Sequence, residues 1–132
     1  RNQFSEFKYF PPCSNQKVRA IMKGHDALVL PSIVEGRALV QQEALSCGLP
    51  IIVTPNAGGE DLVEEGITGH LIPIRSPEKI VEAISALLTS SINKREIQQL
   101  RQKKATQYSW ASYAQKIIDF NLSNSAQKLE IT

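Results

Sequence analysis

Two glutamates, Glu35 and Glu43, bracket a segment that leads from an apolar run into a helical pattern. The start of a helix offers unpaired backbone N–H groups and the positive end of a dipole, and both suit a diphosphate. Two carboxylates this close would repel that anion by about 1 kcal/mol or more, unless each of them faces hydroxyls instead. Either glutamate alone is typical of a solvated acid, but the pair at this junction indicates a sugar-diphosphate site.

The elements around these glutamates place the segment where ligands bind. Residues 27–30 (ALVL) form an apolar run that is typical of a parallel strand buried on both faces. Residues 39–47 predict a helix that ends at Gly48. Ligands of open α/β sheets bind beyond the carboxyl ends of the strands, so the N–H groups of residues 37–40 are expected to meet a phosphate. Glu43 lies about 6 Å along the helix, within reach of a ribose diol, and its charge beside an apolar stripe should have a partner.

The rest of the pattern predicts a Rossmann-like, three-layer α/β/α fold with a truncated parallel sheet of about three strands and C-terminal helices. Strands are expected at residues 7–10 (FKYF), 27–30 and 51–53 (IIV), and a brief extended piece at 71–74. Ser14 and Ser76 are expected to cap helices, the second with Pro77 at its first position. The expected helices span residues 14–24, 39–47, 60–65, 76–88, 93–106 and 109–120.

The C-terminal part of the chain carries three smaller predictions. Trp110 and Tyr113 are expected to pack the last helix onto the domain. The basic residues between 94 and 104 predict a solvated helix face, with a membrane-surface role as the alternative. Residues 1–121 are interpreted as one partial domain, and residues 122–132 as a flexible tail.

Composition excludes several classes of function. The net charge is +2, from 15 basic and 13 acidic residues, and it gives no basic footprint for nucleic acid. Cys13 and Cys47 lack the spacing of a zinc site or a disulfide framework, which favours reduced thiols in the cytoplasm. No GxGxxG or GxxxxGK[ST] motif follows a predicted strand, which argues against dinucleotide dehydrogenases and P-loop enzymes. The chain begins without Met, so we interpret it as a piece of something longer.

The motifs together resemble one family, the retaining glycosyltransferases of GT-B architecture with an E-x7-E signature (group 1, or family 4, type). The resemblance covers almost the whole chain and combines many positions, which makes it specific. It is carried first by Pro31-Ser32, Glu35-Gly36, Val40, Glu43-Ala44, Gly48 and Pro50-Ile51-Ile52. Further matches follow at Ala57-Gly58, Leu62-Val63, Gly66, Gly69-His70-Leu71 and Ser109-Trp110.

The resemblance implies a role for each residue of the site. Glu35 would be the catalytic residue that contacts the donor sugar, and Glu43 would bind the ribose. The amides of Gly36, Arg37, Ala38, Leu39 and Val40 would hold the distal phosphate. Phe10 and Pro12 would border the base. Gly36-Arg37-Ala38 departs from the Gly-Phe-Gly that is common in the family, and Arg37 either contacts a phosphate or the acceptor or faces solvent.

The resemblance also implies what the whole protein would do. It would transfer a sugar from a nucleotide diphosphate sugar, UDP-sugar above all, to a hydroxyl acceptor that includes lipid-linked molecules, with no metal and no further cofactor. The acceptor site would belong to an N-terminal domain outside this chain, so the chain alone should be inactive. Bacterial cell-surface polysaccharide (lipopolysaccharide, O-antigen or capsule) is the expected pathway, in the cytoplasm or at the inner face of the membrane.

Two further expectations concern the assembly and the class of the protein. The open sheet edge at residues 7–10 is expected to be covered by another chain, for instance a second copy in a homo-oligomer, or by lattice contacts. The alternative to an enzyme is a non-catalytic Rossmann-like module that binds a nucleotide or serves assembly.

Overall fold

The computed structural model describes residues 8–91 and 93–129, with the side chains of 8–91 and 93–123. Within these residues the chain forms a three-stranded sheet, five α-helices and two short 3-10 helices. The helices are α1 (Asn15–Lys23), α2 (Leu39–Ser46), α3 (Pro77–Thr89), α4 (Lys94–Thr106) and α5 (Trp110–Leu129). The strands are β1 (Leu28–Leu30), β2 (Ile51–Val53) and β3 (Gly69–Leu71), and the 3-10 helices are Pro55–Ala57 and Glu60–Leu62.

The sheet is parallel, with the strands in the order β1, β2, β3. Ile52 in the central strand is opposite Val29 on one side and His70 on the other. All three residues of β2 are fully buried, because helices cover both faces of the sheet. The chain is therefore a small α/β domain of the predicted Rossmann-like class.

The core lies in two layers that follow the alternation of side chains along β2. Ile51 and Val53 belong to the larger cluster, with buried side chains from α1 and α2. Ile52 points to the opposite side and packs with Ile72 and with Ala83 of α3. Helices on both sides of one sheet give the predicted α/β/α arrangement.

The sheet is built from a different third strand than the sequence predicts. Residues 8–10 form no strand, and Phe7 lies outside the described residues. The third strand is β3 instead, whose flanking residues bond to β2 through Ile51 N to Thr68 O (2.9 Å) and Ile72 N to Val53 O (2.9 Å). The sequence hides this strand because Gly69 and His70 interrupt the apolar run. The edge strands are consequently β1 and β3, and the prediction of an open edge at residues 7–10 was wrong.

Helix starts and ends agree well with the predicted caps, with one correction. The Ser14 hydroxyl accepts a hydrogen bond from Lys17 N (3.4 Å), and the N–H of Gly24 closes α1 by bonding Ile21 O (2.9 Å). Ser76 occupies the capping position of α3 but its side chain makes no capping bond. Pro77 at the first position has no N–H, so one backbone donor fewer needs a partner at this helix start.

Arg101 does not belong to the solvated basic face that the sequence predicts for α4. Its side chain is buried, and it donates from Nε to Ile67 O (2.8 Å) and from Nη1 to Gly48 O (3.2 Å). Burial lowers the pKa of the guanidinium. The arginine thereby ties α4 to the end of α2 and to the segment that enters β3.

The last helix corrects the prediction for Trp110 and Tyr113. They are 83% and 59% exposed, and their rings meet each other edge to face with centroids 6.2 Å apart. They do not pack the helix onto the core, because the described apolar residues of α5 lie mainly on its exposed surface. The helix continues to Leu129 and not to the predicted end at Phe120. The division at residues 121 and 122 stays a prediction.

The position of Leu45 in the core generates a stability test. Leu45→Ala removes a fully buried side chain from α2 and should lower the free energy of unfolding by about 2–5 kcal/mol, since a cavity remains. Leu88→Ala in α3, where the side chain is 77% exposed, should change it by less than about 0.5 kcal/mol. Urea denaturation of the intact protein measures both. Equal losses for the two variants would contradict the described core.

Candidate functional site

Two loops meet at the carboxyl edge of the sheet. The first loop (residues 31–38) joins β1 to α2, and the second loop (residues 54–59) follows β2. Because β1 and β2 are parallel neighbours, both loops leave the sheet at the same edge. This edge is where ligands of open α/β sheets bind.

Three hydrogen bonds between the two loops hold the first loop in place. The Thr54 hydroxyl donates to Ser32 O (2.5 Å), and the Asn56 side-chain amide donates to Ile33 O (2.6 Å). The backbone N–H of Glu35 donates in turn to Asn56 O (3.0 Å). The first loop has no helix or strand of its own, so these bonds replace the regular pairing that its backbone lacks.

Gly58 lets the two backbones approach closely. Its φ of 66° lies in the left-handed region that favours glycine. A Cβ at this position would lie 2.9 Å from Gly36 O and 3.1 Å from the backbone of Arg37. The second loop therefore packs directly against the turn that leads into α2.

The beginning of α2 presents free backbone donors. Ala38 is its N-cap residue and supplies no side-chain cap. Within the described residues, the N–H groups of Arg37, Ala38, Leu39 and Val40 donate to no protein acceptor. Such a cluster at the positive end of a helix favours an anion.

The two glutamates have different surroundings. Glu35 is exposed in the first loop, and its Oε2 accepts a hydrogen bond from the Ser32 hydroxyl (2.7 Å). Glu43 is half-buried on α2, and its carboxylate has no hydrogen-bond or ion-pair partner in residues 8–91 and 93–123. The expectation that Glu43 has a partner therefore finds no protein group in the part of the chain that the structure describes, and a ligand as that partner stays a prediction. The carboxylate oxygens of this partly exposed residue remain accessible to donors from outside the fold.

Arg37 is neither free in solvent nor without a partner. Its Nη2 donates to Asp61 Oδ2 at 3.0 Å, and its guanidinium carbon lies 5.0 Å from the centroid of the Tyr108 ring. The Tyr108 hydroxyl donates to the backbone oxygen of Asp61 (3.0 Å). Burial, with a contribution from Asp61, raises the pKa of Tyr108, so its phenol remains a donor at neutral pH. The Arg37 side chain remains 41% exposed, and its contact with a phosphate or an acceptor stays a prediction.

Phe10 and Pro12 lie apart from the glutamates in sequence, just before α1. Phe10 is half-buried with the Lys8 ammonium 5.0 Å from its ring centroid, and Pro12 is exposed. Among the described contacts, no hydrogen bond or ion pair connects either residue to the first loop. Their role beside the base stays a prediction.

Two other kinds of site receive no support in the described residues. No group of three His, Cys, Asp or Glu side chains there is placed to hold a metal ion. No helix in the same residues combines the length and the apolar character that crossing a bilayer requires.

Comparison with known families identifies the protein family of this chain. The family described as "Glycosyl transferases group 1" matches residues 5–108, which include the first loop, α2 and the second loop. The chain belongs to the group 1 glycosyltransferases. The resemblance of the sequence to group 1 glycosyltransferases is thereby confirmed, and the chemistry of that family is glycosyl transfer.

Individual relatives of this glycosyltransferase chain are much longer proteins. The D-inositol 3-phosphate glycosyltransferase of Corynebacterium urealyticum is 25% identical over 112 residues, which are 85% of this chain and 26% of the relative. That of Mycobacterium leprae (strain Br4923) is 30% identical over 122 residues, 85% of this chain and 28% of the relative. Sucrose synthase 4 of Oryza sativa subsp. japonica is 25% identical over 131 residues, 89% of this chain and 16% of the relative. The chain thus spans less than a third of the length of these relatives.

Sequence reasoning found the residues of the first loop and missed those that shape it. Thr54, Asn56 and Asp61 all contact the first loop, although the sequence suggests only a turn and a short helix there. Gln41 is fully buried in α2, and its Nε2 donates to Ala57 O (2.7 Å). A polar residue at helical spacing from the apolar Ala44 and Leu45 was the available signal for it.

Gly58 provides a test of the loop contact in this glycosyltransferase. Gly58→Ala should lower the melting temperature by more than a control substitution does, because the new Cβ strains the backbone and also meets Gly36 O. Gly66→Ala is the matched control, since Gly66 also has a positive φ (73°) but open space around its Cβ. We expect about 1 kcal/mol of destabilisation from the control. Thermal unfolding measures both variants, and equal losses would refute a close contact.

Proposed function

We propose that this chain is the donor-binding half of a retaining glycosyltransferase, which transfers a sugar from a nucleotide diphosphate sugar to a hydroxyl acceptor. The proposal rests on two features that occur together at α2. The N–H groups of residues 37–40 are free at its beginning, and the half-buried Glu43 lies on the same helix without a partner in the described residues. An anion can accept hydrogen bonds from the free N–H groups, and a diol can donate hydrogen bonds to the Glu43 carboxylate. A nucleotide diphosphate sugar offers both within one molecule.

The diphosphate would bind at the first turn of α2. Its distal phosphate accepts from the N–H groups of Arg37 to Val40, which need no rearrangement because no protein acceptor uses them among the described residues. The Arg37 guanidinium lies in the same turn, with its charge shared with Asp61. Amides and an arginine together stabilise negative charge, so the proposal includes no metal and no further cofactor.

The two carboxylates would then take different hydroxyls. Glu43, on α2 beyond the phosphate-binding turn, accepts hydrogen bonds from the ribose diol. Glu35, in the first loop, contacts the donor sugar on the other side of the diphosphate. Its hydrogen bond from Ser32 and the bond from its own N–H to Asn56 O fix the direction of this side chain. The base would lie near Phe10 and Pro12.

Catalysis would rest on the leaving group and not on a side-chain nucleophile. As the bond from the sugar to the diphosphate breaks, negative charge grows on the diphosphate. The helix start stabilises that charge more in the transition state than in the ground state. The carboxylates hold the sugar and ribose in a productive orientation, which lowers the entropy loss on reaching the transition state.

The proposal extends to the partners of the chain. The acceptor would be a hydroxyl compound, including lipid-linked ones, that binds to an N-terminal domain of the same protein, so the chain alone would be inactive. We place the enzyme in bacterial cell-surface polysaccharide synthesis, in the cytoplasm or at the inner face of the membrane. Composition and the bacterial sources of two relatives support this assignment. The outer edge of β1 would pair with that domain or with a second copy of the chain.

Glu43 provides the binding test. Glu43→Gln in the intact protein should weaken binding of UDP, or of GDP or ADP if one of these is preferred, by about 10- to 100-fold, because charged hydrogen bonds contribute about 1.5–3 kcal/mol. Titration calorimetry with the three nucleotides measures this. Glu60→Gln is the control, because Glu60 is exposed and its side chain makes no bond within the described residues. Binding that did not depend on Glu43 would contradict the ribose assignment.

Glu35 provides the catalytic test. Glu35→Ala should reduce kcat by about 100-fold or more, because the donor sugar loses its positioning carboxylate. Affinity for the free nucleoside diphosphate should change little, since this ligand carries no sugar. Turnover of the intact enzyme and nucleotide titration separate the two quantities. Unchanged turnover would refute the assignment of Glu35.

A further inference from the structure

Gln41 is a buried polar residue that the fold does not fully satisfy. It is the third residue of α2, and its side chain has no exposed surface. Its Nε2 donates to Ala57 O at 2.7 Å, whereas its Oε1 has no partner in the described residues. A buried acceptor without a donor destabilises a fold, so such a group calls for an explanation.

The second loop is shaped to receive this side chain. A Cβ at Gly59 would lie 1.8 Å from Gln41 Oε1, so only a residue without a side chain fits beside it. Ala57, whose carbonyl accepts the bond, is itself fully buried. Around Gln41 the neighbouring positions Ala44 and Leu45 are apolar and also fully buried. An apolar side chain of similar length would suit these surroundings better than an amide does.

The contact that Gln41 makes joins the two parts of the donor site. Gln41 lies one residue after Val40, the last of the free N–H donors. Ala57 lies one residue after Asn56, which holds the first loop through Ile33 O and through the N–H of Glu35. The hydrogen bond from the Gln41 side chain to Ala57 O therefore sets the distance between the phosphate-binding turn and the loop that orients Glu35.

We propose that Gln41 is a positioning residue for the donor: it aligns the first turn of α2 with the second loop, at a cost in stability. This inference rests on the proposed function, because the alignment matters only if both parts hold one ligand. A merely structural role would have the opposite signature, since its loss would destabilise the protein and leave the folded enzyme as active as before.

Gln41→Met in the intact enzyme tests the proposal. Methionine keeps the length of the side chain and removes both polar atoms, so the gain from losing the unpartnered Oε1 offsets the loss of the bond to Ala57 O. We expect a melting temperature within about 3 °C of the wild type. We also expect kcat/KM for the donor to fall by about 10- to 100-fold, as when an outer residue that orients a site is lost. Gln99→Met, on the exposed surface of α4, is the control and should change neither quantity.

Hydrogen exchange of the Glu35 amide supplies a measurement that needs no ligand. This N–H is bonded to Asn56 O, so its exchange reports whether the second loop still holds the first. Gln41→Met should accelerate this exchange, while amides of β2 should exchange as in the wild type. The Gln99→Met control should leave both unchanged.

Each outcome decides a different question. A variant that failed to fold, or that kept the wild-type kcat/KM and the wild-type Glu35 exchange, would overturn the role of Gln41. If the wild-type protein bound none of UDP, GDP and ADP, the proposed function would fail, and the alignment would be judged by the exchange measurement alone.

Discussion

The first loop has no regular structure, and its shape depends on hydrogen bonds from the loop that follows the neighbouring strand. Thr54 and Asn56 bond three backbone groups of the first loop, and Gly58 lies against its last turn. These contacts exist because β1 and β2 are parallel neighbours, which brings both loops to one edge of the sheet. The sheet thus determines the arrangement of the site, although no side chain of a strand contacts either glutamate through a described hydrogen bond.

Charge is distributed unevenly over this edge. Arg37 contacts both the Asp61 carboxylate and the Tyr108 ring, while the Glu43 carboxylate has no partner in the described part of the chain. The partly exposed carboxylate of Glu43 therefore remains accessible to donors from outside the fold. Leaving Glu43 open while Arg37 is held in place is consistent with a surface prepared for a ligand that carries both hydroxyls and phosphates. Membership of the group 1 glycosyltransferases gives this arrangement its chemical context.

The parts of the fold that local pattern encodes were predictable. Apolar runs gave β1 and β2, and Ser14 with Gly24 gave the bounds of α1. The third strand was not predictable in this way, because Gly69 and His70 interrupt the apolar run that indicates a buried strand. In the site, the glutamates and the helix start follow from sequence. The bond from Asn56 to Ile33 does not, because it joins residues 23 positions apart and depends on strand order.

The exposed position of Trp110 decides what optical measurements on this chain can report. It is the single tryptophan of the sequence, and it is 83% exposed at the beginning of α5, next to the edge of the Tyr113 ring. The indole already contacts water in the folded state, so the emission of this chain's tryptophan will shift little when the α/β core melts. Changes in that emission will instead report what approaches the last helix. Because Tyr108, two residues before Trp110, contacts Arg37 of the first loop, these changes include events at the candidate site.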